Sequence, residues 1–350
     1  MKPSVPEGQA VCPHAHGSLS AAPAVRASVL LQFAFVAILA ILIVFFRDAP
    51  PFATLSITFV SIFLEALPFM LLGAAIGGLI EVFISKGAIL RIVPAGRLSA
   101  ILLAAAMGMV FPVCECAIVP VVRRLFGKGL PLGAGIAFLL GGPIVNPLVF
   151  LSTAVAYGND LTVVIGRLAG GYLIAVVMGL LIDHCFTRQS ALVEIPSALP
   201  GDAHENFAIA APAGIRTKIG WALQHGAADF LDISRFLVFG AFTAGLLQTL
   251  VARGELVVLF GSPVASILFM MILAVLLSLC SEADAFVAAS FRTTLPITAQ
   301  MAFMVLGPML DLKLIAMYFR IFRKRLILVM SLSTFIVVFL SMMAGSWMVG

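Results

Sequence analysis

The sequence predicts an all-α polytopic membrane protein whose two halves form an inverted repeat, with one extra span at the N-terminus. Hydrophobic residues fill 62% of the 350 positions and charged residues only 11%, against about 25% charged residues in soluble domains. Apolar segments long enough to cross a bilayer follow one another along the chain. Unusual residues inside these segments recur in the same order in both halves, as they do in many transporters.

Charge and cysteine content exclude several classes of protein. The net charge of +5 does not indicate nucleic-acid binding, because the Lys and Arg residues lie in short loops, as membrane topology requires. Five cysteines are too few and too scattered for a disulfide framework. No cofactor is expected, and the stretch Gly127-Lys128-Gly129 lacks the Ser or Thr and the upstream glycine of a nucleotide-binding loop.

The N-terminal part of the chain is predicted to hold a tail and one span. Residues 1–26 are polar, contain prolines and glycines, and predict disorder. Within them, Cys12, His14 and His16 could bind a soft metal transiently or be incidental. Residues 27–51 form the extra span, because their apolar run is longer than the roughly 7–15 residues of a signal-peptide core.

The first repeat, residues 52–182, opens with an apolar segment that contains Glu65. A carboxyl group inside a span is energetically expensive and is a functional hypothesis by default. The alternative is a side chain that lies at the membrane interface. Gly73, Gly77 and Gly78 follow in the same segment and predict close contact with another helix.

The next segment, residues 98–122, contains the motif Phe111-Pro112-Val113-Cys114-Glu115-Cys116. Cysteines at i and i+2 point to nearly opposite faces of a helix but to the same side of extended backbone. Pro112 removes a backbone donor and favours a break in the helix just before them. Non-helical backbone at membrane depth persists only where protein or a watery cavity surrounds it, so we expect a ligand site here.

Two further segments complete the first repeat. Residues 132–157 contain Gly141-Gly142-Pro143-Ile144-Val145-Asn146-Pro147, which predicts an unwound helix with Asn146 inside the break. Residues 161–182 contain Arg167, which we expect to snorkel towards the membrane surface.

A hydrophilic stretch, residues 183–228, is predicted to be a cytoplasmic linker with a short amphipathic helix near residues 215–225. The second repeat then occupies residues 229–350. Its apolar segments are residues 229–251, 264–290, 295–318 and 326–349.

The second repeat matches the first at the residues that are unusual for a membrane segment. Glu65 corresponds to Asp232, Cys114 to Cys280 and Asn146 to Asp311, and the spacing of flanking glycines and prolines agrees. Each half therefore supplies an acidic span, a cysteine motif and a broken Gly-Pro span that ends in Asn or Asp.

Loop charges predict the topology. If residues 98–122 crossed the membrane fully, the basic loops on their two sides would face opposite compartments, which conflicts with the positive-inside rule. A re-entrant hairpin that turns back at the cysteines keeps both loops in the cytoplasm. Each half then has three spans plus one hairpin, and because three is odd the halves insert in opposite orientations. Nine full spans are the alternative.

The two hairpin tips are predicted to meet near the midplane of the membrane. Thiolates favour soft metal ions, and trivalent arsenic is likewise thiophilic, so Cys114, Cys116 and Cys280 form the expected metal set. A thiol that binds a soft ion releases its proton, and Glu65, Glu282 and Asp284 are the expected proton carriers. The alternative is that small residues merely pack at tight hairpin tips. The expected substrate-binding residues are Cys114, Glu115, Cys116, Cys280, Glu282, Asn146 and Asp311.

Three motifs together resemble those of a known family. They are Cys114-Glu115-Cys116, Gly141-Gly142-Pro143-Ile144-Val145-Asn146-Pro147 and Cys280-Ser281-Glu282-Ala283. They are similar to motifs of the predicted-permease family that includes the ArsP-like organoarsenical efflux proteins, over roughly residues 52–325. The resemblance implies a multi-pass permease of the bacterial inner membrane. It leaves the substrate open, because members are linked to trivalent methylarsenicals and also to metal efflux.

The leading functional hypothesis is a secondary permease, not an enzyme, that exports a thiophilic metalloid or soft metal by proton exchange. A trivalent organoarsenical is the first candidate for the substrate. One alternative is an uptake permease for a small sulfur-containing or anionic solute. Another is a membrane thiol oxidoreductase that uses Cys114 and Cys116, although their spacing is not the CxxC of such enzymes. The expected partners are the bilayer and the substrate, and a homo-oligomer is left open.

Overall fold

The computed structural model describes residues 50–83, 96–111, 114–193, 215–250 and 262–349, together with the single residues 87 and 94. The predicted tail and almost all of the extra N-terminal span lie outside the described residues. Within the described ranges the protein is helical and contains no strand; Leu192 and Phe322 form an isolated antiparallel bridge.

The first half contains two long helices with shorter helices between them. Each interruption falls where glycine or proline weakens the helix or where the cysteine motif lies. The helices are α1 (Pro50–Phe83), α2 (Arg97–Ala106), α3 (Glu115–Gly127), α4 (Leu132–Gly141), α5 (Pro147–Ala156), α6 (Leu161–Cys185) and the short α7 (Arg188–Ala191).

The second half follows the same order of long and short helices. A long helix comes first, two pairs of short helices follow, and a long helix ends the chain. The helices are α8 (Ile215–Leu250), α9 (Pro263–Leu277), α10 (Ser281–Ser290), α11 (Ile297–Leu306), α12 (Leu312–Tyr318) and α13 (Lys324–Val349).

Three of the described helices are long and apolar enough to cross a membrane: Leu55–Phe83, Leu161–Cys185 and Lys324–Ser346. Large apolar side chains such as Leu64, Leu173 and Leu328 lie exposed on their outer faces. Such surfaces are unfavourable in water but match the hydrocarbon of a bilayer. The molecule is a multi-pass membrane protein.

The interrupted helices lie where the sequence predicts them. In the first half α4 ends at Gly141 and α5 begins at Pro147; in the second half α11 ends at Leu306 and α12 begins at Leu312. Proline at the first position of α5 loses no intrahelical hydrogen bond. These breaks free backbone groups inside the molecule, so the residues that cap them become part of the interior.

The short helix predicted near residues 215–225 is the start of α8, which begins at Ile215 and continues without a break past residue 229. Its N-terminal part packs along α1, where a side chain at Gly78 would clash with the backbone of Ala222. Gly226 in turn lies against the backbone of Ala74. Glycines on both helices allow this close approach, and the contact extends the helix into the segment predicted to be a linker.

The first cysteine motif lies between the end of α2 and the first turn of α3. The start of α2 and the end of α3 both contact residues at or just beyond the C-terminal end of α6. Arg97, at the start of α2, pairs with Asp183 near the C-terminus of α6. Arg188, just beyond α6, donates to the carbonyl oxygen of Phe126 near the end of α3. Helices α2 and α3 therefore enter and leave on the same side of the molecule.

The corresponding segment of the second half reaches the opposite end of α6. Arg292, which follows α10, lies 5.4 Å from the ring centroid of Tyr157, just before the start of α6. The Tyr157 hydroxyl donates to Gln300 Oε1 over 2.8 Å. The opposite membrane orientation of the two repeats stays a prediction.

Candidate functional site

The first tip, Cys114-Glu115-Cys116, forms the N-terminus of α3. Cys114 precedes the helix with extended backbone (φ −75°, ψ 170°), and Glu115 and Cys116 lie in the first turn. The extended backbone predicted for both cysteines is thus limited to Cys114. The two thiols still meet, because their side chains hydrogen-bond to each other, and both are buried, at 5% and 1% exposure.

The second tip, residues 278–284, forms the N-terminus of α10. Helix α9 ends at Leu277, and Ser278 turns the chain in the left-handed region with φ 48°. Cys280 precedes α10 with extended backbone, as Cys114 precedes α3. The Cys280 side chain hydrogen-bonds to Glu65 of α1 and to Glu282. The structure therefore brings together three predicted residues, Glu65, Cys280 and Glu282.

Lys313, in the first turn of α12, joins the two tips. Its Nζ lies 3.0 Å from Glu115 Oε1 and donates to the carbonyl oxygens of Ser278 (3.0 Å) and Leu279 (3.3 Å). Asp311 Oδ2 lies 3.5 Å away. The side chain is only 3% exposed. Our sequence interpretation missed Lys313, although a lysine inside an apolar segment is a signal for function in its own right.

Arg167 does not snorkel to the surface as expected; it is fully buried. Its guanidinium donates to the carbonyl oxygen of Ser281 over 2.6 Å, to Thr153 Oγ1 over 2.7 Å and to the carbonyl oxygen of Met304 over 3.3 Å. These three acceptors belong to both halves and offset the cost of burying the charge. Arg167 thus fixes the start of α10 against α5 and α11.

Asn146 and Asp311 cap the helices that follow the two breaks. The Asn146 side chain accepts from the backbone nitrogen of Leu148 over 2.9 Å, and Asp311 accepts from that of Leu314 over 2.6 Å. Both side chains are fully buried. Asp311 also reaches Lys313 and so belongs to the tip cluster, whereas a substrate contact of Asn146 stays a prediction.

Buried carboxylates near the tips outnumber the buried cations. Glu115, Asp284 and Asp311 are almost fully enclosed, and Arg167 and Lys313 are the cations that interact with them electrostatically. One oxygen of each carboxylate, namely Glu115 Oε2, Asp284 Oδ2 and Asp311 Oδ2, receives no hydrogen bond from the described residues. Asp311 Oδ2 nevertheless lies 3.5 Å from Lys313 Nζ, so Glu115 Oε2 and Asp284 Oδ2 are the two of these oxygens that could accept a proton without giving up an ion pair.

Within the described ranges, no group of three or more His, Cys, Asp or Glu side chains is arranged to hold a metal ion. Cys114 and Cys116 hydrogen-bond to each other, whereas the Cys280 side chain hydrogen-bonds to the carboxyl groups of Glu65 and Glu282. The three-sulfur ligand set therefore stays a prediction.

Comparison with known proteins places this geometry in a family. A family model described as predicted permease, ArsP_1, matches residues 52–346. The chain belongs to this permease family. Its match covers both tips, both breaks and all three long apolar helices described above. No solved structure matches the chain.

The names of individual relatives of this permease say little about function. The chain is 40% identical over 300 residues to UPF0718 protein YcgR of Bacillus subtilis, which covers 85% of the chain and 97% of the relative. It is 38% identical over 270 residues to a Streptococcus mutans protein named "Putative two-component membrane permease complex subunit", covering 77% and 87%. UPF0718 protein YraQ of Escherichia coli is 26% identical over 137 residues, 37% of the chain and 38% of the relative.

Proposed function

We propose that this permease is a secondary transporter of the bacterial inner membrane that exports a thiophilic metalloid or soft metal. The observation that carries the proposal is the pair of hydrogen-bonded, buried thiols of Cys114 and Cys116 at a tip inside the molecule. Neighbouring thiols bind soft ions that oxygen ligands bind poorly. A trivalent organoarsenical is the first candidate for the cargo.

Two thiols suffice for a monoorganic arsenic(III) acid. Each arsenic–hydroxyl bond is replaced by an arsenic–sulfur bond, and each replacement releases one water formed from the hydroxyl and the thiol proton. Arsenic stays trivalent, so no oxidant or reductant is needed. A soft metal cation would instead displace the thiol protons, which must then leave the site.

Proton exchange is the proposed driving force, with Glu65, Glu282 and Asp284 as carriers. Support comes from the contacts of Glu65 and Glu282 with the Cys280 side chain and from the unbonded Asp284 oxygen. Glu65 and Glu282 would take up the proton that the Cys280 thiol loses when a soft metal cation binds. We also propose that the two repeats insert in opposite orientations, so that each tip faces the centre from its own side.

A permease complex is a second possibility that one relative supports. The Streptococcus mutans relative is named as a complex subunit and covers 77% of this chain. We propose that a second subunit joins this permease in the membrane. Purification of the tagged chain from its own host, followed by mass spectrometry, tests this; recovery of the chain alone or as a homo-oligomer contradicts it.

Everted membrane vesicles test the cargo. With a proton gradient, vesicles containing the wild-type chain should accumulate methylarsenite, whereas vesicles with Cys116→Ser should not, because one arsenic–sulfur bond is lost. Cys185→Ser is the matched control, since Cys185 is exposed and lies outside the tips. Equal uptake in all three contradicts cargo binding by Cys116, and uptake of copper or zinc instead of methylarsenite replaces the arsenical with another cargo. Accumulation of methylarsenite in right-side-out vesicles that Cys116→Ser abolishes instead indicates an importer.

A further inference from the structure

The proposed transport chemistry gives no role to the buried charge of Lys313. Lys313 lies in the second half and Glu115 in the first, 198 residues apart. Burying an ammonium group away from water is costly unless it is fully paired, and an ammonium has three protons to donate. Here the three nearest acceptors are Glu115 Oε1 and the carbonyl oxygens of Ser278 and Leu279, so one side chain binds both tips.

The backbone of Lys313 is itself held in place. A side chain at Gly240 of α8 would meet the Cα atom of Lys313 at 2.7 Å, so α12 lies directly against α8 at this residue. The ammonium group therefore projects from a fixed point. A mobile lysine could follow the tips, but a fixed one can position them.

The second tip needs such support. Ser278 adopts left-handed backbone (φ 48°, ψ 45°), which is unfavourable for a residue that has a side chain. Its carbonyl oxygen and that of Leu279 both accept from Lys313, so the ammonium group stabilises the bend that presents Cys280. Without it, two buried carbonyl groups and Glu115 lose their shared donor.

We propose that Lys313 is a positioning residue that holds the two tips together, so that Cys116 from one half and Cys280 from the other face the same cargo. The proposal rests on the proposed function for the identity of the cargo. The contact between Glu115 and Lys313 and its effect on the cysteines can be measured without transport.

A carbodiimide link tests the contact in the full-length chain. Dicyclohexylcarbodiimide is apolar and activates buried carboxyl groups; attack by the Lys313 amine forms an amide and releases dicyclohexylurea. Mass spectrometry should find the peptides of Glu115 and Lys313 joined, and Glu115→Gln and Lys313→Arg should abolish the link. Absence of the link in the wild-type chain, where activated Glu115 is found as its acylurea, overturns the contact.

Cysteine labelling tests the positioning. In Lys313→Met, alkylation of both Cys116 and Cys280 by a water-soluble maleimide should accelerate on the order of tenfold or more, because the shared donor is lost. The double variant Lys313→Glu with Glu115→Lys should restore part of the slow rate. Lys324→Met is the matched control, since Lys324 is exposed at the start of α13 and should leave both rates unchanged.

Phenylarsine oxide separates this proposal from the proposed function. In wild type, phenylarsine oxide should form its two arsenic–sulfur bonds with Cys114 and Cys116, and the bound phenylarsenic group should shield Cys280, so that Cys116 and Cys280 are protected from alkylation together. In Lys313→Met, where the tips are no longer held together, it should protect Cys116 without Cys280. Protection of neither cysteine in wild type contradicts the arsenical cargo, and the labelling rates alone then decide the role of Lys313. Unchanged rates in Lys313→Met, or joint protection that survives the substitution, overturn the positioning role.

Discussion

At the scale of single residues, some side chains at the two tips could be predicted from the sequence and others could not. The cysteines and acids stand out in an apolar chain, and the caps formed by Asn146 and Asp311 follow from Asn or Asp before a helix start. Arg167 and Lys313 were harder to place, because a basic side chain near either end of a span can also snorkel. Only the packing of helices from both halves shows that they are enclosed.

Glu282 is predicted to carry a proton during transport. Its contact with Cys280 places its carboxyl group beside a thiol that must lose a proton when a soft ion binds. Glu282→Gln has a similar shape but cannot release a proton, so transport into everted vesicles should slow and its rate should depend less on pH. Asp160→Asn is the control, because asparagine caps α6 equally well. A pH profile identical to wild type removes Glu282 from the proton pathway.

Arg167 is predicted to be essential for stability. Arg167→Met keeps the apolar stem but leaves the Ser281 carbonyl oxygen, Thr153 and the neighbouring Asp284 without their cation. Loss of one member of a buried charged set costs about 3–5 kcal/mol. The Tm of the purified protein in detergent should fall well below that of Arg325→Met, a substitution at an exposed position. Equal Tm values would show that Asp284 does not need the arginine.

At the scale of helices, glycine patterns predict contacts but not partners. The sequence shows that α1 must meet another helix near Gly73 and Gly78, and the structure shows two different ones, α3 and α8. The sequence predicts a helix near residues 215–225, but its continuity with the span that follows was missed for the same reason. Residues 215–228 have the polar pattern of an interfacial helix, and only their contact with α1 shows that they continue the span.

Gly73 is predicted to tolerate no side chain. A Cβ atom there would run into the backbone of Ala117 in α3, and backbone cannot move aside as a flexible side chain can. Gly73→Ala should therefore destabilise the protein by about 1–3 kcal/mol. Gly170→Ala is the matched control, because open space surrounds that position in α6 and alanine favours a helix by up to about 1 kcal/mol. Thermal unfolding should lower the Tm for Gly73→Ala alone.

At the scale of the whole molecule, similar sequences in the two halves take unlike positions. The Glu65 carboxyl group hydrogen-bonds to the Cys280 side chain. Its counterpart Asp232 instead forms ion pairs, at 2.9 Å with Arg123 and also with Arg235 and Arg320. Asp229 joins the same group, 3.3 Å from Arg123. These ion pairs link α3 to α8 near the end of the molecule where Arg188 holds Phe126. The repeat predicts which residues correspond, but which of them face the centre depends on packing.

The predicted topology can be decided by labelling from each side of the membrane. In a chain with Cys12→Ser and Cys185→Ser, one new cysteine at a time would replace the exposed residues Ser99 and Gly127, on the two sides of the first tip. The hairpin prediction places both in the cytoplasm, where Arg97 and Phe126 are held at one end of α6. An impermeant maleimide should therefore label both in everted vesicles and neither in intact cells.

Positions near the second cysteine motif are expected to be labelled from the opposite side of the membrane. Cysteines at the exposed positions Thr162 and Thr293 lie near Tyr157 and Arg292, at the other end of α6, and should be labelled in intact cells. Nine full spans would instead place Ser99 and Gly127 on different sides, so that intact cells would label one of the two. Labelling of one of the two would show that each half does not have three full spans. The two halves would then not insert in opposite orientations, and the two tips would have no reason to approach the centre from opposite surfaces.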